Sequence, residues 1–229
     1  MFKLDMHPSW DSFFTKDIIN ELTEIYDTIG PHYPEDEAVL RFSRTDKDVL
    51  KCVIVGMDPY PSFNKRDNIP QATGRSFEVS ELYGKTWDYP IKQTSLRNIL
   101  RALYYNKNEE VKTIYDIRKE ISAGRFIISD PIEWFNKTEE QGVLWLNSTL
   151  TVHPGRAGSH KKQWTAFRKA LFKYIAGSDA VFMLWGDSAA REVGPFIPQD
   201  KQLRCSHPRV EKFVKTNTFA LFDAVNWYV

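Results

Sequence analysis

Four short apolar runs divide the chain and predict buried β-strands. They cover Cys52 to Val55, Gly142 to Leu146, Ala180 to Trp185 and, less clearly, Gln202 to Ser206. Short runs without a polar alternation are typical of strands that are covered on both faces. Amphipathic stripes with helical spacing lie between the runs. Strands that alternate with helices predict a parallel α/β sandwich.

The helical stripes are bounded by proline, glycine and polar residues. The first runs from Asp17 to Ile29, where apolar residues recur on one face until Gly30-Pro31 ends the stripe. The others are predicted around Asp36 to Phe42, from Ser95 to Tyr105, over Ile117 to Phe135 as one or two helices with a break at Pro131, from Gln163 to Ala176, from Ala189 to Val193, and from Thr218 to Asn226. A long loop, Pro61 to Glu81, follows the first strand, and loops of this length are usually functional.

Polar residues follow each apolar run at the point where the strand should end. Asp58 follows the first run and precedes Pro59, which stiffens the turn. Asn147 follows the second run, Gly186 the third and His207 the fourth. Because ligands of open α/β sheets bind outside the carboxyl ends of the strands, we expect these groups to meet in one site. Taken alone, the Asp58 motif is equally consistent with an ordinary turn residue, a lone histidine such as His207 is more often structural, and a helix N-cap is the alternative role for Asn147.

Five motifs in order resemble those of the uracil-DNA glycosylase superfamily, family 1. They are Gly56-Met-Asp-Pro-Tyr60, Gln71-Ala-Thr-Gly-Arg-Ser-Phe77, Gly142-Val-Leu-Trp-Leu-Asn147, Leu184-Trp-Gly186 and His207-Pro208. The likeness runs from about Trp10 to Trp227, and Pro61 together with the short stretch after His207 is similar to poxvirus-type members. The resemblance implies one domain over residues 1–229, a three-layer α/β/α sandwich with a central four-stranded parallel sheet.

The implied activity is hydrolysis of the bond between uracil and deoxyribose, as in DNA base-excision repair. The base must first be flipped out of the DNA into a pocket. By the resemblance, Asp58 places water and His207 stabilises the uracil anion. The resemblance also implies further substrate contacts. The main chain at Met57, where the family has Gln, would contact the base, Tyr60 would exclude the methyl group of thymine, and Gln71 would support the water. Phe77 would stack on the base and Asn147 would read it.

A second set of positions matches those that hold DNA in the family. Hydroxyls and backbone amides suit phosphate binding without a large net charge. The implied DNA-binding residues are Ser95, Arg156, Lys161, Gly186, Ser188, Arg209 and Val210. The basic residues of the 155–162 loop are equally consistent with an ordinary solvated surface.

Three positions depart from the family pattern. Pro61 stands where histidine is usual, and Asp187 places a negative charge inside the Gly-Ser turn that should meet a phosphate. The stretch after His207 is several residues short of the usual leucine-bearing loop, so Arg209 or Val210 would serve as a smaller wedge. Since a weaker wedge supports flipping poorly, we expect single-stranded or mismatched uracil to be preferred.

Length, charge and cysteine content limit the class of protein and the cofactors that it can hold. A chain of 229 residues with a net charge of +1 suits one domain whose nucleic-acid contacts form a local patch. Cys52 and Cys205 are expected to be free thiols in a reducing, cytoplasmic setting, and two cysteines cannot hold an iron–sulfur cluster. No secretory signal or membrane span is expected. His153, His160 and His207 lack metal-ligand spacing. The resemblance implies a monomer without cofactors.

The three departures also support a second hypothesis from a different class. The chain would then be a weakly active or inactive relative that serves as a DNA-binding or replication accessory factor, or as the target of a proteinaceous uracil-DNA glycosylase inhibitor. The retained set of Asp58, Tyr60, Phe77, Asn147 and His207 argues against this, since an abandoned site has little reason to keep all five.

Overall fold

A four-stranded parallel sheet forms the centre of the computed structural model, which describes residues 5–229. Within that range the strands are β1 (Cys52–Gly56), β2 (Phe63–Asn64), β3 (Ile69–Pro70), β4 (Val143–Asn147), β5 (Val181–Trp185) and β6 (Gln202–Cys205). The central sheet has the order β4-β1-β5-β6, and every pairing in it is parallel. The four carboxyl ends therefore lie along one edge, as the sequence predicts.

Helices cover both faces of this sheet. They are α1 (Lys16–Ile29), α2 (Asp36–Val39), α3 (Thr94–Asn108), α4 (Ile114–Ser122), α5 (Pro131–Glu140), α6 (Thr165–Ala176) and α7 (Asp187–Glu192). Pro131 occupies the first turn of α5, where its missing N–H costs nothing, so the ambiguous stretch before β4 forms two helices.

Alternate residues of each strand point into two separate apolar cores. On β1, Cys52 and Ile54 face a core built with α3, α4 and α5. Val53 and Val55 face a second core built with α1 and α6. All four side chains are at most 1% exposed, which explains why the strand reads as a continuous apolar run. The predicted three-layer α/β/α sandwich is confirmed.

The helix predicted from Thr218 to Asn226 is wrong. These residues form turns, and their buried side chains include Phe219 and Val225, whose spacing does not follow a helical face. Side chains of other elements bind the backbone here: Asn106 accepts from the N–H of Ala220 at 2.9 Å, and Gln141 accepts from that of Asn226 at 2.8 Å. These backbone N–H groups have side-chain acceptors and do not need the carbonyl partners that a helix would provide.

The long loop after β1 contains a small antiparallel hairpin, β2–β3. Phe63 pairs with Pro70, and Asn64 pairs with Ile69. The N–H of Gln71 donates to the carbonyl of Ser62 at 2.9 Å and closes the base of the hairpin. The hairpin thus stands directly beside the turn that carries Asp58.

Candidate active site

The ends of β1 and β4 place Asn147 over a glycine. Gly56 lies opposite Asn147 in the strand register, and a Cβ on Gly56 would overlap the Asn147 Oδ1 and lie 2.7 Å from the Cβ of Ser76. Pairing continues beyond the strands, because the N–H of Ser148 donates to Gly56 O at 2.9 Å and its hydroxyl donates to Met57 O at 2.9 Å. Asn147 is 5% exposed, yet within residues 5–229 its side-chain amide makes no hydrogen bond to protein. The amide nitrogen and oxygen are not among the buried polar atoms that lack a partner, so they reach an opening where a ligand can form hydrogen bonds with them.

Asp58 lies on the turn after β1 and faces the loop between β4 and α6. Its Oδ2 accepts a hydrogen bond of 3.0 Å from the N–H of Gly158. Burial raises the pKa of the Asp58 carboxyl above its usual value, the Gly158 N–H opposes the shift, and the charge of Glu192 adds to it. Lys161 and Arg209 favour the ionised form. The surroundings therefore raise the basicity of the Asp58 carboxylate.

His207 follows β6 and presents a defined tautomer. Its Nδ1 accepts a hydrogen bond of 2.9 Å from the N–H of Arg209, so in the neutral ring the proton lies on Nε2. Burial lowers the pKa of His207 below its usual value, and the charge of Arg209 lowers it further. At neutral pH the side chain is thus an uncharged imidazole with an Nε2–H donor.

Gly186 makes room for that imidazole. It follows β5 with φ of +92°, a conformation that favours glycine, and a Cβ there would lie 2.7 Å from the Cβ of His207. Its N–H donates to the carbonyl of Cys205 at 2.8 Å, which holds the ends of β5 and β6 together. The sequence predicts that Gly186 belongs to a phosphate-binding turn. In the structure it packs against His207 and thereby helps to position the imidazole.

Phe77 provides an aromatic face in the same region. Its ring centroid lies 5.4 Å from Trp185, 6.5 Å from Trp145 and 6.3 Å from His207. Phe77 is 8% exposed and has φ of +65°. A non-glycine residue in this region is strained, and such strain is concentrated at functional sites. The structure thus brings Phe77 and His207 together from segments far apart in the chain.

Tyr60 and Gln71 complete the wall next to Asp58. Burial raises the pKa of the Tyr60 hydroxyl well above its usual range, so the phenol stays neutral, and its ring packs against the core that contains Ile54. The Gln71 Nε2 donates to the carboxylate of Glu81, which orients the amide. Both residues are partly exposed, as a contact to substrate requires.

The predicted DNA-binding residues surround this site on several segments. Ser95 lies in the first turn of α3, and Ser188 lies in the first turn of α7, where its hydroxyl accepts from Arg191 at 3.4 Å. Lys161 is half exposed and pairs with Glu192 at 2.6 Å, so part of its charge is already compensated. The remaining predicted residues, Arg156, Arg209 and Val210, are exposed.

Sequence reasoning missed two groups that act on Asp58 and belong to segments after the neighbouring strands β4 and β5. Gly158 is 100 positions away in sequence, and Glu192 lies in α7, which follows a different strand. A buried relay supports the same loop: Trp164 Nε1 donates to the Thr151 hydroxyl at 2.7 Å, and that hydroxyl lies 3.0 Å from Nδ1 of His160. No local pattern reveals these contacts, because they depend on how the loops pack.

His160, in the loop between β4 and α6, is engaged within the protein. Burial lowers the pKa of His160 to about 4, and its Nδ1 is engaged by Thr151. Within residues 5–229 no three metal-ligating side chains converge. Across the same residues no helix combines the length and apolarity that a bilayer crossing needs. Both cysteines in that range are free thiols.

Comparisons with known proteins define the class of the protein. A uracil-DNA glycosylase from Azobacteroides pseudotrichonymphae is 35% identical over 182 residues, which is 77% of this chain and 68% of the relative. One from Francisella philomiragia is 33% identical over 207 residues, 81% of this chain and 79% of the relative. No family model matches the chain.

Solved structures agree at the level of the fold. The uracil-DNA glycosylase of Nitratifractor salsuginis superposes with a TM-score of 0.72 at 19% identity, covering 96% of this chain and 92% of that one. A mimivirus enzyme, solved as its Y322L variant in complex with the inhibitor UGI, gives a TM-score of 0.68 at 20% identity, with coverage of 95% and 83%. The fold is that of an α/β sandwich with polar and aromatic side chains gathered at the carboxyl edge of its parallel sheet. The chain belongs to the uracil-DNA glycosylase family.

Proposed function

We propose that this protein hydrolyses the N-glycosidic bond of uracil in DNA and thereby begins base-excision repair. The observation that carries the proposal is Asn147, a residue at the sheet edge that is only 5% exposed and whose amide makes no hydrogen bond to protein within residues 5–229. An amide can accept from uracil N3–H and donate to O4, whereas cytosine presents the opposite pattern. The unmet hydrogen bonds of Asn147 therefore match uracil.

In the proposed reaction the bond between uracil N1 and the sugar C1′ breaks, and its electron pair leaves with uracil. The sugar becomes cation-like and is attacked by water, whose proton passes to the Asp58 carboxylate and from there to solvent, while solvent later protonates the uracil anion. Asp58 would orient this water and offset the positive charge of the sugar. Its raised pKa, caused chiefly by burial, makes the ionised carboxylate a better hydrogen-bond acceptor for water.

The uracil anion needs a donor at O2. His207 supplies Nε2–H as a neutral donor, because its Nδ1 is occupied by the Arg209 N–H and its pKa is lowered by burial. A neutral imidazole cannot lose its donor role by titration above this pKa, so the stabilisation persists at physiological pH. The main-chain N–H groups at Met57 and Asp58 would add donors at the same oxygen.

Selection of the base would use shape as well as hydrogen bonds. Phe77 would stack on the uracil face, and its ring is held by Trp145 and Trp185 on the core side. Tyr60 would stand against C5 and exclude the methyl group of thymine. Gln71, oriented by Glu81, would support the water near Asp58.

The DNA strand would cross the carboxyl edge of the sheet. Ser95 and Ser188 would bind phosphates through their hydroxyls, with Arg156 and Lys161 contributing charge, while Gly186, whose N–H is already bonded to Cys205 O, would shape the turn. Arg209 or Val210 would act as the wedge, and Val210 is 48% exposed as that role requires. Since valine fills less space than leucine, we propose that single-stranded or mismatched uracil is excised faster than uracil paired with adenine.

The test measures free uracil released from a single-stranded oligonucleotide by the wild type, Asp58→Asn and His207→Ala. The wild type should release uracil, and both variants should be slower by at least about a hundredfold, since each removes a group that acts on the transition state. Tyr115→Ala, on the exposed face of α4, is the control and should match the wild type. Failure of a folded wild type to release uracil from single or double strands would contradict the proposal.

A second candidate is a weakly active relative that binds DNA or an inhibitor protein. Asp187 favours it, because it is exposed at the start of α7, next to the proposed phosphate turn. We also propose that the protein acts as a monomer in the cytoplasm and is a target of a UGI-type inhibitor. Light scattering during size-exclusion chromatography, and titration of uracil release with UGI, test the oligomeric state and the inhibitor separately.

A further inference from the structure

An exposed aromatic side chain stands beside the proposed site and has no role in the chemistry described above. Phe63 lies five positions after Asp58, on β2, and is 38% exposed. Its ring centroid lies 6.0 Å from that of Tyr33, with the planes tilted by 30°. One side of the Phe63 ring is therefore supported by another ring, while part of its surface is open to solvent.

The hairpin that carries Phe63 is held rigidly. Asn64, only 3% exposed, donates to Asp67 at 2.8 Å and to the Ser80 hydroxyl at 3.3 Å. The same hydroxyl donates to Pro70 O at 2.8 Å and thereby anchors β3. A ring on a braced hairpin loses little conformational entropy when it contacts a ligand.

The hairpin is also tied to the loop that faces Asp58. The carbonyl of Pro61 accepts from the N–H of Gly155 at 2.8 Å, and the same loop places the Gly158 N–H on Asp58. Tyr33 forms a reciprocal pair of 2.9 Å backbone hydrogen bonds with Val152, at the start of this loop. Phe63, Tyr33 and the acid are thus parts of one connected rim.

Positive charge accompanies the aromatic pair. Lys65 follows on the hairpin and Arg156 lies in the facing loop; both are exposed, and within residues 5–229 neither forms an ion pair. An aromatic surface flanked by uncompensated cations is the usual arrangement for a single-stranded nucleic acid, whose bases stack while its phosphates meet the charges. A protein partner would more often bury such a ring completely, with depleted lysine around it.

We propose that Phe63, backed by Tyr33, is a stacking platform for an unpaired base adjacent to the flipped uracil. The inference rests on the proposed glycosylase function and adds a subsite for a flanking nucleotide. Stacking is sequence-tolerant because every base has a π-face, so the platform would select the strand state of the DNA and not its sequence. In paired DNA the flanking base is already stacked on its neighbours, and the platform would contribute less.

The experiment measures binding of Asp58→Asn, which should retain substrate, to single-stranded oligonucleotides with one uracil. In a matched set, an abasic spacer replaces the base at each of the nearest positions on either side. Adding Phe63→Ala should weaken binding by about fivefold or more on the intact strand. At one position, that of the base that stacks on Phe63, the abasic spacer should weaken binding of the Asp58→Asn parent by a similar factor. The same spacer should have no effect on the protein that also carries Phe63→Ala.

Two further variants separate stacking from other effects. Phe63→Trp keeps an aromatic face and should bind at least as tightly as the parent, whereas Phe63→Leu should behave like the alanine variant. Tyr115→Ala removes an aromatic side chain that is 64% exposed on α4 and should change nothing. Equal affinities for the Phe63→Ala and parent proteins, or an equal loss at every spacer position, would overturn the platform.

Uracil release by the wild type, measured in parallel, separates this inference from the proposed function. If the wild type releases uracil and Phe63→Ala does not change the affinity for the oligonucleotide, only the platform is overturned. No release and no binding by a folded wild type overturns both. A loss in Phe63→Ala that is as large on a uracil:adenine duplex as on a single strand would contradict the proposed preference for an unpaired base.

Discussion

Substitution of Gly56 by alanine should disable base reading with little damage to the fold. The added Cβ would overlap Oδ1 of Asn147 and lie 2.7 Å from the Cβ of Ser76, whereas carbon atoms in contact are usually about 3.5–4.0 Å apart. Ser76 cannot move freely, since its N–H donates to Trp145 O at 3.2 Å and its hydroxyl donates to Ile54 O at 3.2 Å. The Asn147 amide must therefore yield by roughly 1 Å.

The size of both effects follows from that displacement. A misplacement of about 1 Å at a reacting centre can cost about a hundredfold in rate. Overpacking a core by one methyl group costs about 1–3 kcal/mol. For a chain of this length, each kcal/mol lowers Tm by about 2–4 °C. Gly56→Ala should therefore stay folded at 25 °C while its uracil release falls by about two orders of magnitude.

The assay compares uracil release by the wild type, Gly56→Ala, Asn147→Ala and the double variant under single-turnover conditions. If Gly56→Ala acts through the Asn147 amide, the double variant should release uracil at a rate within about threefold of that of Asn147→Ala. The reason is that the free-energy effects of substitutions at coupled residues are not additive. Circular dichroism and thermal melts report the fold. Multiplicative losses, or a Gly56→Ala rate within about threefold of the wild type, would refute the reasoning.

Three further predictions follow from neighbouring groups. Gly186→Ala should slow uracil release by about a hundredfold by displacing the imidazole, whereas Gly84→Ala, with φ of +65° and no atom within 4 Å of the added Cβ, should cost only stability. Glu192→Gln removes a charge that raises the pKa of Asp58, so the carboxylate should stay ionised at lower pH and the acid limb of the kcat profile should move to lower pH. Asp187→Asn should tighten single-strand binding about two- to fivefold at low salt, with the gain lost at high salt; unchanged affinity would show that Asp187 points away from DNA.

The sign of the overall pH dependence follows from the two proposed catalytic groups. Asp58 must be ionised, and its raised pKa means that it is protonated at a higher pH than an ordinary aspartate. His207 must be neutral, and its lowered pKa keeps it neutral to a lower pH than an ordinary histidine. Activity should therefore be lost as pH falls and should stay level through neutrality. A profile that rises as pH falls through 7 to 5 would contradict both roles.

Much of the fold was predictable because its determinants are local. Three of the four central strands, β1, β4 and β5, are short apolar runs, and each is followed by a glycine or a polar residue that lies at the site; β6 contains Gln202 and Arg204 and is the weaker signal. Turn residues such as Pro59 restrict the backbone wherever they occur. The sequence alone therefore determined that Asp58, Asn147 and His207 end parallel strands, and the motifs that they belong to determined the family.

The tertiary structure alone decided which groups act on those residues. The strand order β4-β1-β5-β6 sets Asn147 beside Gly56, and packing of separate loops sets the Gly158 N–H on Asp58. The C-terminal segment fails to form its predicted helix because distant side chains bind its backbone. Local periodicity encodes how a segment folds, but contacts between segments depend on the burial of the whole chain, and the electrostatics of the site depend on those contacts.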